Sequence, residues 1–168
     1  MLETIYYLAE YPIYLATMYA VLHVIFKHER KNHIRHIIII MGGAITAWCV
    51  ATFLKELIAH PRPDLTAALF IPGDQYSFPS GHSTFMFTLA FSMYSFDKKA
   101  FTFLAVLAVL TGVARVLSGV HYWYDIVAGA VLAWVVARVV IYIVWAISHR
   151  LHKEMYNKKS SSQVSPTI

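Results

Sequence analysis

The chain has 168 residues, 58% hydrophobic and only 14% charged, with a formal net charge of +5 and a mean hydropathy of +0.56. Such values lie outside the usual soluble range and exclude an ordinary water-soluble domain. The length suits one domain, no segment repeats at a fixed period, and Cys49, the only cysteine, has no intrachain disulfide partner and is assigned to packing.

The start Met1-Leu2-Glu3 has no cationic n-region, and the apolar run Thr4 to Phe26 exceeds a signal-peptide core of roughly 7–15 residues, so it is expected to remain as a first helix. Further apolar runs follow at His36 to Ala59, Ser80 to Phe96, Phe101 to Gly119 and Ile126 to Ile147. Each approaches the about 20 residues a helix needs to cross a bilayer, and none alternates polar with apolar residues as a barrel strand does. The expectation is an all-α, polytopic transmembrane bundle of about five spans over residues 1–152. A polar, disordered cytoplasmic tail is expected over 153–168.

Ten of the fourteen Lys and Arg fall in Lys27 to Arg35, Lys98-Lys99 and Arg150 to Lys159. With five spans these three stretches share one side, which the positive-inside rule makes cytoplasmic. The amino terminus is then outside. Lys55, Arg62 and Arg115 fall at the opposite, extracytoplasmic ends of the helices. Arg138, within the fifth span, reads as a snorkelling side chain.

Three segments carry chemistry. Lys55 is followed by Arg62-Pro63, and Pro61 and Pro63 stop the helix so that Arg62 can swing back toward Lys55. Alone, such a pair reads equally well as interfacial anchoring. The connecting loop His60 to Phe78 holds Asp64 and Asp74, but no ligand cluster of metal-binding spacing. Next, Pro79-Ser80-Gly81-His82 turns into a span. The free amides of its first turn suit an anion, Gly81 permits close approach, Ser80 can cap the helix and donate its hydroxyl, and His82 stands beside the bound group. Finally, Arg115 precedes His121, and Asp125 lies four residues beyond that, on one helical face, where its carboxylate can hold the imidazole Nδ1–H and free Nε2. Cations and imidazoles are costly near lipid, and phosphate-ester chemistry uses all of them.

In this order, Lys55 with Arg62-Pro63, Pro79-Ser80-Gly81-His82, and Arg115 with His121 and Asp125 resemble the three-part signature of the type 2 phosphatidic acid phosphatase (PAP2) superfamily. Ala114 stands where that family usually has Ser. The resemblance implies a helical core, and the chain is read as a minimal bundle, one amino-terminal helix short of larger members, open to completion by self-association. It also implies His121 as nucleophile forming a phosphohistidine, Asp125 as its orienting partner and His82 as general acid, then base. Lys55, Arg62, Ser80, the Gly81 amide and Arg115 would hold the phosphoryl oxygens, with neither metal nor cofactor. The expected substrate is a lipid phosphate met at the outer face of a bacterial plasma membrane. Polyprenyl diphosphate leads, with phosphatidylglycerol phosphate, phosphatidic acid and lipid A phosphates behind it, and no nucleic-acid partner is expected. A soluble haloperoxidase shares the pattern but not the apolar spans. A non-catalytic lipid- or anion-binding membrane protein has no use for two histidines and an orienting Asp.

Overall fold

The structure, a computed structural model, describes residues 2–27 and 30–163. Helices α1 (Leu2–Glu10) and α2 (Pro12–Lys27) meet at a 43° bend. Pro12 lacks an amide hydrogen, which suits the first turn of α2 and bars continuation of α1 through it. A 3-10 turn (Arg30–Asn32) leads to α3 (His33–Ile37), a π turn (Ile38–Gly42) and α4 (Gly43–Ile58), and after a long loop come α5 (Gly81–Tyr94), α6 (Lys98–Leu117) and α7 (Trp123–Gln163).

Helix α5 is the axis of the bundle and packs against α2, α4, α6 and α7. Its hydroxyls fold back on its own carbonyls, Thr84 Oγ1 to Ser80 O at 2.8 Å and Thr88 Oγ1 to Thr84 O at 2.7 Å, so polar side chains lie inside at little cost. The surrounding helices turn small residues inward. Ala16, Ala20 and Val24 of α2, Ala44, Ala47 and Ala51 of α4, and Ala133 and Ala137 of α7 are all buried. At Gly129 the approach is so close that a Cβ would stand 3.0 Å from Thr84 Oγ1 and 3.1 Å from the Ser80 carbonyl oxygen. Ile40, Met86, Leu89, Met93 and Leu104 are buried among the small residues, but many large apolar side chains point outward, with Phe26 83%, Phe53 66% and Val127 62% exposed. Small residues within and many bulky ones without is the arrangement expected where lipid is the solvent.

The five spans expected from the sequence are not all met. Among the described residues three helical stretches are long and apolar enough to cross a membrane, His33–Ile58, Lys98–Leu117 and Trp123–Met155, and the bent pair α1–α2 makes a fourth if counted as one span. Helix α5 has 14 residues, short of the about 20 a lipid-facing span requires. Surrounded by its neighbours, it need not match the bilayer by itself. Helix α7 runs unbroken past Lys153 to Gln163, into the stretch where a polar, disordered tail is expected. Beyond Gly129 neither Gly nor Pro occurs before Pro166, and residues 164–168 lie outside the described residues. Cys49 is exposed on α4 rather than packed, and Arg138 is exposed beside Trp134.

The bundle has two chemically different ends. At one, Asp97 caps α6 by accepting from the Lys99 and Ala100 amides at 2.8 and 3.2 Å, and its other oxygen takes Lys27 Nζ at 2.6 Å and stands 3.2 Å from His23 Nε2. The other end holds the three sequence motifs.

Candidate active site

The inward stripes explain why cations point into the bundle. Along α4, Ala44, Ala47 and Ala51 share a face with Lys55; along α6, Ala100, Leu104 and Ala108 share one with Arg115; along α7, Ala137, Ala133 and Gly129 lead back to Asp125. Each stripe advances three or four residues at a time, so each ends in a functional side chain aimed at the axis. Lys55 is 7%, Arg115 4% and Asp125 0% exposed.

Helix α4 stops at Ala59, whose φ of 51° is left-handed, and the loop crosses the mouth of the bundle. The loop is tied down by Ser77 N to His60 O at 2.9 Å and by Leu69 N to Ser118 O at 3.0 Å. At its far end Ser80 caps α5, its hydroxyl accepting from Ser83 N at 3.5 Å, while its own amide donates to Asp125 O at 3.2 Å. That last bond joins the start of α5 to the start of α7.

A cavity of about 530 Å³ opens under the loop. Lys55, Gly81, His82, Arg115 and His121 line it, with Glu10, Trp48, Phe70 and Asp74. The structure therefore gathers five of the eight motif residues around one cavity. Asp125 lies behind His121, accepting from Tyr122 N at 2.9 Å and standing 3.1 Å from His121 Nδ1. The pairing is as the spacing predicts but its basis differs, since His121 precedes α7 and the contact crosses the helix start rather than one helical face. Ser80 is wholly buried as a cap and is not on the cavity wall. Arg62 is also behind the wall, its guanidinium donating to Val120 O at 2.5 Å, to Asp74 O at 3.1 Å and to the Asp74 carboxylate.

Two carboxylates here escaped the sequence reading. Asp74 pairs with both Lys55 and Arg62. Glu10 accepts from Arg115 at 2.6 Å through Oε1 and stands 3.7 Å from His82 Nε2 through Oε2. Arg115 also donates to Ala9 O at 3.2 Å and lies 5.6 Å from the Phe70 ring centre. An acidic residue inside a long apolar run was the available signal for Glu10. Asp74 drew notice only as a potential metal ligand, and among the described residues no group of three His, Cys, Asp or Glu is placed to hold a metal ion.

The charges shape protonation. Partial burial works to raise the Asp74 carboxyl, but the hydrogen bonds and charges of Lys55 and Arg62 outweigh it and hold the group below its ordinary range. Burial pushes the His121 imidazole down, Asp125 opposes this, and the Arg115, Arg62 and Lys55 charges add to it. A neutral imidazole held by a carboxylate, with cations around an open volume, can attack an electrophile that carries negative charge.

A second cavity, of about 580 Å³, adjoins the first and shares Glu10, Trp48 and His82 with it. Its remaining lining, Ile13, Tyr14, Thr17, Met18 and Phe85, is mostly apolar. His82, edge-on to Trp48 with ring centres 5.6 Å apart, thus stands between a cationic chamber and an apolar one.

Among known proteins, the chain is 30% identical over 136 residues to the bacitracin transport permease protein BcrC of Bacillus licheniformis, covering 76% of this chain and 64% of that one. It is 32% identical over 102 residues to decaprenylphosphoryl-5-phosphoribose phosphatase of Mycobacterium tuberculosis, covering 59% and 56%. The chain thus spans less than two thirds of either relative. Two solved structures share the fold, each with a TM-score of 0.61: a transmembrane PAP2 type phosphatidylglycerolphosphate phosphatase from Bacillus subtilis, 22% identical, covering 89% of this chain and 75% of that one, and LpxE from Aquifex aeolicus, 24% identical, covering 83% and 82%. The PAP2 superfamily model matches residues 36–148, more than half of the chain and all three motifs, and the chain belongs to that superfamily.

Proposed function

We infer that the protein is an integral membrane phosphatase that removes phosphate from a lipid. The observation that carries this reading is His82 at the boundary between the cationic cavity and the apolar one. A lipid phosphate has the same division, with its phosphoryl group suited to the first chamber and its leaving group and chain to the second.

In the proposed reaction His121 Nε2 attacks phosphorus while Asp125 holds the Nδ1 hydrogen. The N–P bond forms as the bond to the leaving oxygen breaks, and His82 gives that oxygen its proton. His82 then takes a proton from water, whose oxygen attacks the phosphohistidine. The N–P bond breaks, phosphate leaves and His121 is restored. Lys55, Arg115 and the Gly81 amide face the transferred oxygens, and Arg62 joins them once Asp74 releases it. Ser80 contributes by fixing the start of α5. These cations supply the electrostatic role a metal has in other phosphatases, so no metal is required.

Among substrates, a polyprenyl diphosphate remains the first choice, with phosphatidylglycerol phosphate, phosphatidic acid and lipid A phosphates as alternatives. The Mycobacterium tuberculosis relative is named for a polyprenyl substrate, which supports a polyprenyl chain. The pocket is assigned to the extracytoplasmic face because it lies at the opposite end of the bundle from Lys27, Lys98 and Lys99. The test is phosphate release from this lipid panel by purified protein in detergent. Release that orthovanadate blocks, a chelator leaves intact and His121→Ala abolishes supports the reading. Undiminished function in His121→Ala would favour non-catalytic lipid binding instead.

A further inference from the structure

Among the described residues, Lys55, Arg115 and His82 on the cavity lining each already stand against a carboxylate of the chain itself. The Asp74 carboxylate bridges Lys55 and Arg62, and the two oxygens of Glu10 face Arg115 and His82. On the phosphatase reading, on which this inference rests, those are the partners a phosphoryl group would take: Lys55, Arg62 and Arg115 for its equatorial oxygens and His82 for the leaving one. Among the described residues neither carboxylate makes a hydrogen bond to backbone, although the Asp74 carbonyl accepts from Arg62 Nε at 3.1 Å. Asp74 lies on the loop with its side chain 46% exposed, and Glu10 closes α1 at the bend, 29% exposed.

We propose that Glu10 and Asp74 are charge-selecting residues that occupy the cationic donors until a doubly charged phosphoryl group displaces them. The reason lies in the competition at a membrane surface. Most anionic lipids there are phosphodiesters with one negative charge, and a pocket of bare cations would fill with them. A built-in carboxylate also carries one charge and competes at the high effective concentration of a tethered group, so a singly charged diester gains nothing by exchange. A terminal phosphate near neutral pH carries up to two charges and can replace both carboxylates at once without leaving the cations short of negative charge, which a diester cannot. The two acids thereby weaken binding of every anion but weaken that of the singly charged ones more, which gives discrimination by a competing element rather than by added contacts.

The test measures binding by calorimetry on the full chain in detergent, with inorganic phosphate as the doubly charged probe and dimethyl phosphate as the singly charged one. For Asp74→Asn, and independently for Glu10→Gln, phosphate should bind about tenfold tighter, the scale of one nearby charge in a partly buried site. Dimethyl phosphate should bind the variants measurably and the unaltered chain hardly at all. Phosphate binding that is unchanged or weaker in both variants overturns the proposal and makes the acids organisers of the cations. Phosphate release from lipid by the unaltered chain tests the phosphatase reading separately, so the two can fail independently.

Discussion

Two aspartates in this molecule each hold two basic side chains, and their surroundings give them opposite meanings. At one end Asp97 takes Lys27 and His23 but also accepts two amides of the α6 first turn, so its carboxylate is committed to backbone. At the other, Asp74 takes Lys55 and Arg62 with its carboxylate and lines a cavity. A carboxylate that caps a helix is structural because releasing it exposes backbone donors. One that touches only long side chains can be exchanged for another anion.

Substitutions can break this contrast, and the largest effect belongs to the motif end. His121→Asn should lower phosphate release by on the order of a thousandfold or more while thermal unfolding moves by only a few degrees. Residual turnover near the original rate would remove His121 from the chemistry. Asp125→Asn should cost about 100-fold in rate, because the imidazole loses the partner that orients it. At the opposite end Asp97→Ala should do the reverse, destabilising the fold by about 1–2 kcal/mol through the lost cap while turnover below the melting range is kept. A rate loss there equal to that of Asp125→Asn would erase the distinction between the ends.

Acid sharpens the comparison further. Lys27 and the Ala100 amide lead the groups that hold Asp97 below the ordinary carboxylate range, and Lys55 and Arg62 do the same for Asp74 against its partial burial. For depressed carboxyls the stabilisation is complete above the unfolded value, about 3.9, and is lost as pH falls through the lower folded value. Unfolding midpoints should therefore show no loss from these two groups between neutrality and about pH 4 and decline below it, with Asp97→Ala showing a smaller decline. Because burial depresses His121, the acid limb of kcat/KM assigned to it should fall below the about 6.5 of a free imidazole. The smallest effect is at Ala59, where Gly relieves the left-handed backbone and should raise stability by about 0.5 kcal/mol without changing turnover.

Much of the site was legible because the spacing of its residues encodes it. Lys55, Arg115 and Asp125 each continue a ladder of small inward residues, and His121 lies within reach of Asp125 even though the helix starts between them. Ser80 was readable as a cap, but its complete burial was not, since capping and phosphate contact ask for the same residue type at the same place. The share of Glu10 in the pocket depends on the α1–α2 bend and on packing against α6, which are long-range facts no local pattern carries. Asp74 sits in a loop held by ties to distant residues. The count of five spans is not confirmed at α5 for a related reason, because hydropathy shows that a segment avoids water and leaves open whether it meets lipid or other helices.

Helix α7 has a practical consequence. Its 41 residues make a rod about 60 Å long, roughly twice the hydrocarbon thickness of a bilayer. A rod longer than the bilayer is thick carries the end of the helix, past the apolar stretch Trp123–Met155, beyond the lipid core. A fluorescent reporter fused beyond Gln163 would ride tens of ångströms from His121 and could follow expression or mixing of subunits without pressing on the pocket. The same reporter placed ahead of α1 would load the short helix that carries Glu10.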